Sequence, residues 1–450
     1  MALAPGRSAT PSYKFAVVVL LGLLLAVPLF SVYLLVYDRE SQSSAARSSI
    51  VEGWGQPQRL AGPFLVLPFS QLVQTRVNEG GREFSRTEQQ ERELFVAPSS
   101  LAIETAIAPE LRRRSIYEAV VYTADVRQSG FFRLPDLAAL NIDPATIRLS
   151  EAELRVGVSS AKGLGGSQPV VRVDGRSLPL IPGSSLSQSQ SSGFSARLGA
   201  APAAGVPIRF EIAYALRGHD SLGVQPAAQD TRWRATSRWP HPSFVGGFLP
   251  VSRSVSDQGF AAEWRIGNLA LNRPIVSIGE PAAVETDAVA VNLINPVNLY
   301  DEVNRATKYG FLFVGFTFVA LLMFDVIGGA PVAGPAYLLV GAGLVLFFVL
   351  LLAFAEVIGF TPAYLLAAAA IVGLVSAYCA AILRSWRGGG LIAGMLAALY
   401  AVLYVLLSLE AYALLIGSLL LFVALAAVMY LTRNIDWRAV GRRPQDAIAS

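Results

Sequence analysis

Histidine, the most common general base and metal ligand of proteins, occurs only twice in this sequence, as His219 and His241. A zinc site needs several His, Cys or carboxylate ligands at close spacing, and neither histidine belongs to such a cluster. His219 lies beside Asp220, which could give half of a catalytic triad, but no Gly-x-Ser-x-Gly turn supplies a nucleophile. The sequence therefore predicts an exposed loop histidine at position 219. It predicts no catalytic, cofactor-binding or metal-binding residue.

Phosphate and nucleic-acid binding are not indicated either. The glycine-rich run at 163–166 lacks the Lys-Ser/Thr ending of a phosphate-binding loop, and a hairpin turn explains it more simply. The net charge is +4, but the basic residues form no clustered stripe and do not alternate with aromatic residues. The acidic residues are scattered along the chain. We expect no nucleic-acid partner, no cofactor and no enzyme activity.

The most unusual stretch of the sequence runs from residue 239 to residue 250, where two prolines flank a histidine. Proline fixes its own φ and restricts the residue before it, so the backbone here is extended and turned. Aromatic side chains on both sides can anchor the stretch to a core. We interpret it as a rigid structural segment, with a partner-binding role as the alternative. Its candidate residues are Trp239, Pro240, His241, Pro242, Phe244 and Phe248.

The composition indicates that part of the chain lies in lipid and part in water. Only 15% of the 450 residues are charged and the mean hydropathy is +0.49, which is too apolar for a soluble protein of this size. The apolar residues concentrate on the two flanks, whereas residues 38–308 have the composition of a globular domain. The sequence therefore predicts a membrane protein of the α+β class.

The first apolar run covers residues 15–37, which is long enough to cross a hydrocarbon core of about 30 Å. Arg7 and Lys14 precede it without acidic residues, which predicts that residues 1–14 are cytoplasmic. Small residues at 44–46 leave a cleaved signal peptide as the alternative. The apolar run of such a peptide usually has about 7–15 residues, so we expect an uncleaved anchor helix.

Residues 38–308 contain strand-like stretches separated by Gly and Pro, and they predict a β-rich, sandwich-like domain outside the cytoplasm. The single cysteine, Cys379, lies in an apolar run outside this domain, so the domain contains no disulfide. The Ser- and Gln-rich residues 184–195 predict a mobile loop, and residues 200–205 add small residues. The predicted strands cover residues 64–69, 92–96, 117–126, 153–158, 170–173 and 208–216.

Five further apolar runs follow residue 308 and, with the anchor, predict six transmembrane helices. An even number of spans places residues 432–450 on the same side as the N-terminus. Arginine favours the cytoplasmic side, and Arg384, Arg387 and four arginines after the last run all lie on that side. We therefore expect a multi-pass membrane protein, in contact with lipid, with both termini cytoplasmic. The C-terminal five-helix bundle covers 309–431, with runs at 309–327, 337–355, 361–383, 391–409 and 412–431.

The predicted bundle has few ionisable residues. Asp325, Glu356 and Glu410 lie near the ends of their spans, whereas proton-coupled and ion-coupled transporters usually keep such groups near the bilayer midplane. The middle of the bundle contains modest polar groups such as Thr317 and Ser376, which commonly serve helix packing. This pattern argues against a coupled pump.

Four sequence blocks, in chain order, resemble the CreD family of bacterial inner membrane proteins, also described as cell envelope integrity proteins. They are the Glu-Gly-Trp-Gly run and its continuation at 52–63, the stretch at 239–250, Arg-Ala-Thr-Lys-Tyr at 305–309 and Leu-Thr-Arg-Asn-Ile-Asp-Trp at 431–437. Together they bracket nearly the whole chain. The resemblance implies an inner-membrane protein linked to a two-component response that affects the envelope, and it implies no catalytic residue.

The function expected from the sequence is therefore non-enzymatic. The protein would contribute to envelope integrity or to an envelope stress response, and its periplasmic domain would bind a partner or ligand. The alternative is a transporter or flippase-like protein that works through the bundle.

Overall fold

The computed structural model describes residues 11–79, 82–137, 140, 142–199, 205–294, 299–327, 334–383, 385–408 and 413–433. The chain divides into two compact units. One is helical and comprises Met1–Ser44 and Val297–Ser450, and the other is β-rich and comprises Ala45–Pro296. The prediction of a mixed α+β protein with a β-rich domain is confirmed.

Seven α-helices occur in the described part of the chain. They are α1 (Pro11–Val51), α2 (Leu299–Lys308), α3 (Gly310–Ile327), α4 (Gly334–Ile358), α5 (Phe360–Leu383), α6 (Trp386–Ser408) and α7 (Ala413–Thr432). Helices α1, α4, α5 and α6 are long and apolar enough to cross a membrane. Helices α3 and α7 coincide with predicted apolar runs, and their role as the remaining two spans stays a prediction.

Helix α1 is longer than the predicted anchor at 15–37, because it continues to Val51. The added residues are mostly polar, with a few Ala, Ile and Val, and neither Gly nor Pro occurs among them. Nothing in this stretch breaks a helix once the apolar part has formed it. At 1.5 Å per residue, a helix of 41 residues is about 60 Å long.

Helix α2 is not predicted by the sequence patterns, which place residues 299–308 in the β-rich domain. It is amphipathic, with Tyr300, Val303 and Ala306 buried at a helical spacing. Acidic residues occupy its first turn and basic residues its last turn, an order that complements the helix dipole. The hydroxyl of Tyr300 donates to Glu356 Oε1 of α4 at 3.1 Å.

The β-rich unit contains seventeen strands within the described residues. They are β1 (Gln58–Glu79), β2 (Arg82–Val96), β3 (Ser100–Arg114), β4 (Tyr117–Phe132), β5 (Glu153–Val158), β6 (Val170–Val173), β7 (Arg176–Ser177), β8 (Leu180–Pro182), β9 (Gly193–Arg197), β10 (Ile208–His219), β11 (Ser221–Gln225), β12 (Asp230–Ser237), β13 (Pro242–Gly246), β14 (Ser252–Ser256), β15 (Gly259–Gly267), β16 (Val276–Ile278) and β17 (Val289–Leu293). Every predicted strand lies within one of them.

The strands form two sheets. One has the order β13-β17-β11-β1-β5-β9-β8, with β2 also paired to β1 and β16 paired to β2. The other has the order β14-β15-β12-β3-β4-β10-β6-β7. Strand β10 shows the two-residue period of a half-buried strand, since Ile208 and Phe210 are buried while Arg209 and Glu211 are exposed.

The main hydrophobic core of the β-rich unit draws side chains from both sheets. Leu67 and Val156 come from the first sheet, and Ile103, Phe210 and Trp233 from the second. This shared core supports a sandwich, although the sandwich arrangement and its periplasmic location stay predictions.

The prediction of a mobile loop at 184–195 is wrong. Ser184 and Leu186 are fully buried, and β9 begins within the segment, at Gly193. Ser184 Oγ lies 2.8 Å from Ser189 Oγ, and both hydroxyls donate to the Ser192 carbonyl. Serine hydroxyls therefore satisfy the turned backbone, which a reading of composition alone does not reveal. Residues 200–204 lie outside the described residues.

The glycine-rich run at 163–166 also differs from its prediction. Residues Ala161–Leu164 form a short 3₁₀ helix after β5 rather than a hairpin turn. A Cβ at Gly163 would collide with the Arg217 carbonyl and the Gln58 side chain, so this glycine is required by close packing.

Candidate functional site

The proline-flanked stretch at 239–250 is anchored by its aromatic residues. Trp239 Nε1 donates to the Ile294 carbonyl at 3.0 Å, and the rings of Phe244 and Trp264 form a T-shaped contact with 5.7 Å between centroids. The Phe248 carbonyl accepts from Trp264 Nε1 at 3.2 Å. Strand β13 begins at Pro242 within the stretch and pairs with β17. These contacts account for a structural role of the stretch.

His241 differs from its neighbours because it is exposed. Pro240 and Pro242, on either side of it, are each half-buried. The stretch therefore presents one imidazole to solvent from a backbone that the two prolines restrict. Partner binding by this segment stays a prediction.

The prediction of an exposed loop histidine at 219 is wrong. His219 is the last residue of β10, and its side chain is only 14% exposed. Its Nδ1 lies 2.7 Å from the Gly55 carbonyl, so Nδ1 carries a proton. The Asp220 carboxylate is 3.6 Å from Nε2, but no serine or cysteine completes a triad in these contacts. His219 fixes the segment after α1 to the end of β10.

Trp54, from the Glu-Gly-Trp-Gly run, lies between two arginines. The guanidinium of Arg112 is 3.8 Å from the centroid of the indole ring and that of Arg217 is 4.7 Å away. Trp54 Nε1 donates to the Tyr122 carbonyl at 3.1 Å. Cation–π contacts and a hydrogen bond therefore hold this residue against β3, β4 and β10.

The β-rich unit contains a groove of about 710 Å³. We call it the charged groove, because four arginines and four glutamates line it together with a few apolar residues. Its charged residues are Glu91, Arg92, Glu93, Arg148, Glu151, Glu153, Arg155 and Arg197.

Strand geometry brings these charges together. Glu91 and Glu93 are two residues apart on β2, and Glu153 and Arg155 are two residues apart on β5, so each pair faces one side of the sheet. Strand β1 lies between the two strands and places Pro68 opposite Glu93.

Arg155 is the most buried charge of the groove, with only 9% of its side chain exposed. Its Nη1 and Nη2 donate to the two carboxylate oxygens of Glu93 at 2.9 and 2.6 Å, and its Nε donates to Glu153 at 3.2 Å. Burial alone would lower the pKa of the guanidinium, but the hydrogen bonds and charges of Glu93 and Glu153 outweigh burial and raise this pKa.

Two further arginines extend the network towards solvent. Arg148 pairs with Glu91 at 2.6 Å and with Glu151 at 3.2 Å, and Arg197 pairs with Glu153 at 3.3 Å. The eight formal charges balance. Such a groove suits a ligand or protein segment that carries both charges and can exchange partners with these pairs, and it suits an apolar ligand poorly.

The charged groove is missed by sequence reasoning because its charged residues are spread from position 91 to position 197. The one local signal is a pair of charged residues two positions apart, Glu91 and Glu93 in β2 and Glu153 and Arg155 in β5. Such a pair marks a polar face of its strand, but it does not show which strand lies beside that face. The groups that face each other become visible only once the strands are paired.

The polar groups predicted in the middle of the bundle differ in their hydrogen bonding, and Ser376 Oγ is buried with no hydrogen-bond partner among the described residues. Thr317 Oγ1 donates to the Phe313 carbonyl at 2.8 Å, and Cys379 is buried. In the described residues no group of three or more His, Cys, Asp or Glu is arranged to hold a metal ion. Glu410 lies outside the described residues.

Comparisons with known proteins give one consistent result. The family model described as "Inner membrane protein CreD" matches residues 10–438. The chain is also 32% identical over 428 residues to the protein named "Inner membrane protein CreD" from Escherichia coli (strain K12), covering 93% of this chain and 91% of that protein.

Proposed function

The chain belongs to the CreD family of inner membrane proteins, and on this premise we propose that it contributes to the integrity of the cell envelope without catalysing a reaction. The proposed topology has six spans, both termini in the cytoplasm and the β-rich domain in the periplasm. In this arrangement the domain meets envelope components while the helices hold it at the membrane.

The observation that carries the proposal is the charged groove. Its volume of about 710 Å³ lies within the range of about 300–1,000 Å³ that is usual for ligand sites. Arg148 and Glu91, which pair across it, remain 41% and 56% exposed, so a partner can reach them. We propose that a charged segment of an envelope protein, or a ligand with both charges, binds there.

The test is complementation of a bacterium that lacks its own CreD relative and is challenged with detergent. The wild-type chain is expected to restore growth. The variant Arg148→Glu is expected to abolish restoration, because it places a third negative charge beside Glu91 and Glu151. The matched control is Arg176→Glu, which makes the same charge change on exposed strand β7, outside the groove.

Membrane levels and thermal unfolding of the full chain are measured for each variant, since Arg148 is well exposed and its replacement should cost little stability. Full restoration of growth by Arg148→Glu, at the membrane level of the wild type, would show that the charged groove is not needed for the function. Failure of the wild-type chain itself would contradict the envelope role.

A further inference from the structure

A second cavity in the β-rich unit, of about 360 Å³, shares no lining residue with the charged groove. Amides and hydroxyls dominate its lining. The residues concerned are Gln56, Gln58, Ser159, Gln188, Ser189, Gln190 and Ser221. We call this cavity the amide pocket.

The floor of the amide pocket is formed by strands that have no free edge. Strand β11 pairs with β1 on one side and with β17 on the other, and Gly223 lies between Arg59 and Ala290 in this register. A Cβ at Gly223 would come within 3.1 Å of the Ala290 Cβ. The pocket is therefore deep at this point because both residues are small. Because the strand ladders already use the main-chain groups, a ligand must be recognised mainly by side chains.

One wall is a backbone held in an unfavourable conformation. Gln190 and Ser191 have φ values of 50° and 60°, which are uncommon for residues other than glycine. The buried pair Ser184 and Ser189 fixes this turn, and the Glu280 carboxylate accepts hydrogen bonds from the Ser187 and Gln188 amides at 2.7 and 3.1 Å. Strain of this kind is concentrated at ligand-binding segments, and here it places two glutamines on the pocket wall.

Gln188 has unused hydrogen-bonding capacity. Its Nε2 donates to the Pro281 carbonyl at 2.7 Å, but its Oε1 is buried and accepts no hydrogen bond from the described residues. A buried acceptor without a donor costs free energy, which the Gln188 amide would recover by turning Oε1 towards a ligand donor in the pocket.

The charged side chains that line the pocket balance, so the pocket does not favour an ion of either sign. Arg59 and Glu285 are the charged lining residues, and they pair with each other at 3.5 Å. A neutral site rich in groups that both donate and accept matches hydroxyl groups, which also do both. We propose that the amide pocket binds a neutral polyhydroxylated ligand, the sugar unit of a glycan.

This site does not depend on the charged groove or on the proposed envelope role. A peptide is a poorer match, because extended peptides usually pair with a free strand edge and the floor of the pocket has none. The volume lies near the lower end of the usual range for ligand sites, which suits one or two sugar rings rather than a long chain.

The test uses the full chain in lipid nanodiscs free of sugar-based detergent and detects binding by saturation-transfer difference NMR. The probes are N,N′-diacetylchitobiose and maltose, with trialanine as the peptide of comparable size. We expect transfer from the protein to at least one disaccharide and none to trialanine.

Two variants locate the binding. Ala290→Phe places a ring across Gly223 and is expected to abolish transfer, and thermal unfolding checks that the variant folds. Gln190→Gly removes one amide, and we expect it to weaken disaccharide binding about tenfold, equivalent to one lost hydrogen bond. Glycine suits the φ of this position, so Gln190→Gly should not lower the unfolding temperature.

The matched control is Ser185→Gly, which relieves the same backbone strain at an exposed residue with φ of 52° outside the pocket lining. Its disaccharide affinity should equal that of the wild type. Absence of disaccharide transfer, transfer to trialanine instead, or undiminished transfer in both Ala290→Phe and Gln190→Gly would overturn the proposal.

Discussion

Arg155 and Glu93 form a two-point ion pair in which both terminal nitrogens of the guanidinium donate to the two oxygens of one carboxylate, at 2.9 and 2.6 Å. The pair is asymmetric, because the Arg155 side chain is 9% exposed and the Glu93 side chain is 41% exposed. Loss of the exposed partner therefore leaves a buried charge, whereas loss of the buried partner leaves a charge that water can reach.

This asymmetry predicts unequal costs for two substitutions. Glu93→Ala should lower the free energy of unfolding by about 2–3 kcal/mol, since Arg155 then keeps only Glu153. Arg155→Met keeps the packed volume and removes the buried charge, so it should cost about 1 kcal/mol or less. Thermal unfolding of the full chain in detergent measures both. Glu151→Ala, at an exposed pair, is the control, and equal effects of Glu93→Ala and Arg155→Met would contradict the asymmetry.

Alkaline pH should destabilise the β-rich unit through its buried tyrosines. Burial raises the pKa of Tyr214 above its ordinary value of 10.0. Below pH 10 the hydroxyl is protonated in both states, so no stability is lost. Above pH 10 only the unfolded state ionises, and each further pH unit should cost up to about 1.4 kcal/mol.

Unfolding at pH 8 and pH 11 tests this sign. Tyr214→Phe should lower stability at pH 8, because Gln128 Nε2 loses its 3.0 Å bond to the hydroxyl, but it should reduce the loss between pH 8 and pH 11. An unchanged pH dependence in the variant would exclude Tyr214 as its source.

The position of Trp54 between Arg112 and Arg217 predicts a graded response to substitution. Trp54→Ala removes both cation–π contacts, the bond to the Tyr122 carbonyl and the packed ring, and should cost about 3–4 kcal/mol. Trp54→Phe keeps a ring and should cost about half as much. The unfolding temperatures of the two variants test this order. An unfolding temperature of Trp54→Ala equal to that of the wild type would show that the contacts of the indole with the two arginines do not stabilise the fold.

The six-span topology predicts the side of each connecting segment. Reporter fusions after residues 38, 356 and 410 should report the periplasm, and fusions after 329 and 387 should report the cytoplasm. The residue that decides most is Arg387, because a periplasmic signal there would contradict both the number of spans and the cytoplasmic C-terminus.

Where local pattern determines structure, the sequence was sufficient. The alternation from Ile208 to Leu216 predicts β10, and the apolar runs predict the bounds of α4 and α5 within a few residues. The polar extension of α1 and the short helix α2 were missed, because neither has an apolar run to mark it.

Where distant residues determine structure, sequence patterns were insufficient. The serines at 184 and 189 look like a flexible tract until the backbone folds back and gives them partners. Arg155 looks like an ordinary polar strand residue until pairing of β2, β1 and β5 brings Glu93 beside it. The composition of a segment indicates how much apolar area it can bury. It does not show which hydrogen bonds to distant residues will order the segment.

Strand β14 ends one side of its sheet, is five residues long and is exposed at every position. An open edge offers unpaired N–H and C=O groups to strands of other molecules, and this is how many β-proteins aggregate. The shortness of β14 and the charge of Arg253 at its second position oppose such pairing. The fold therefore carries its own protection against self-association at high concentration, and Arg253 is the residue that a solubility screen should leave unchanged.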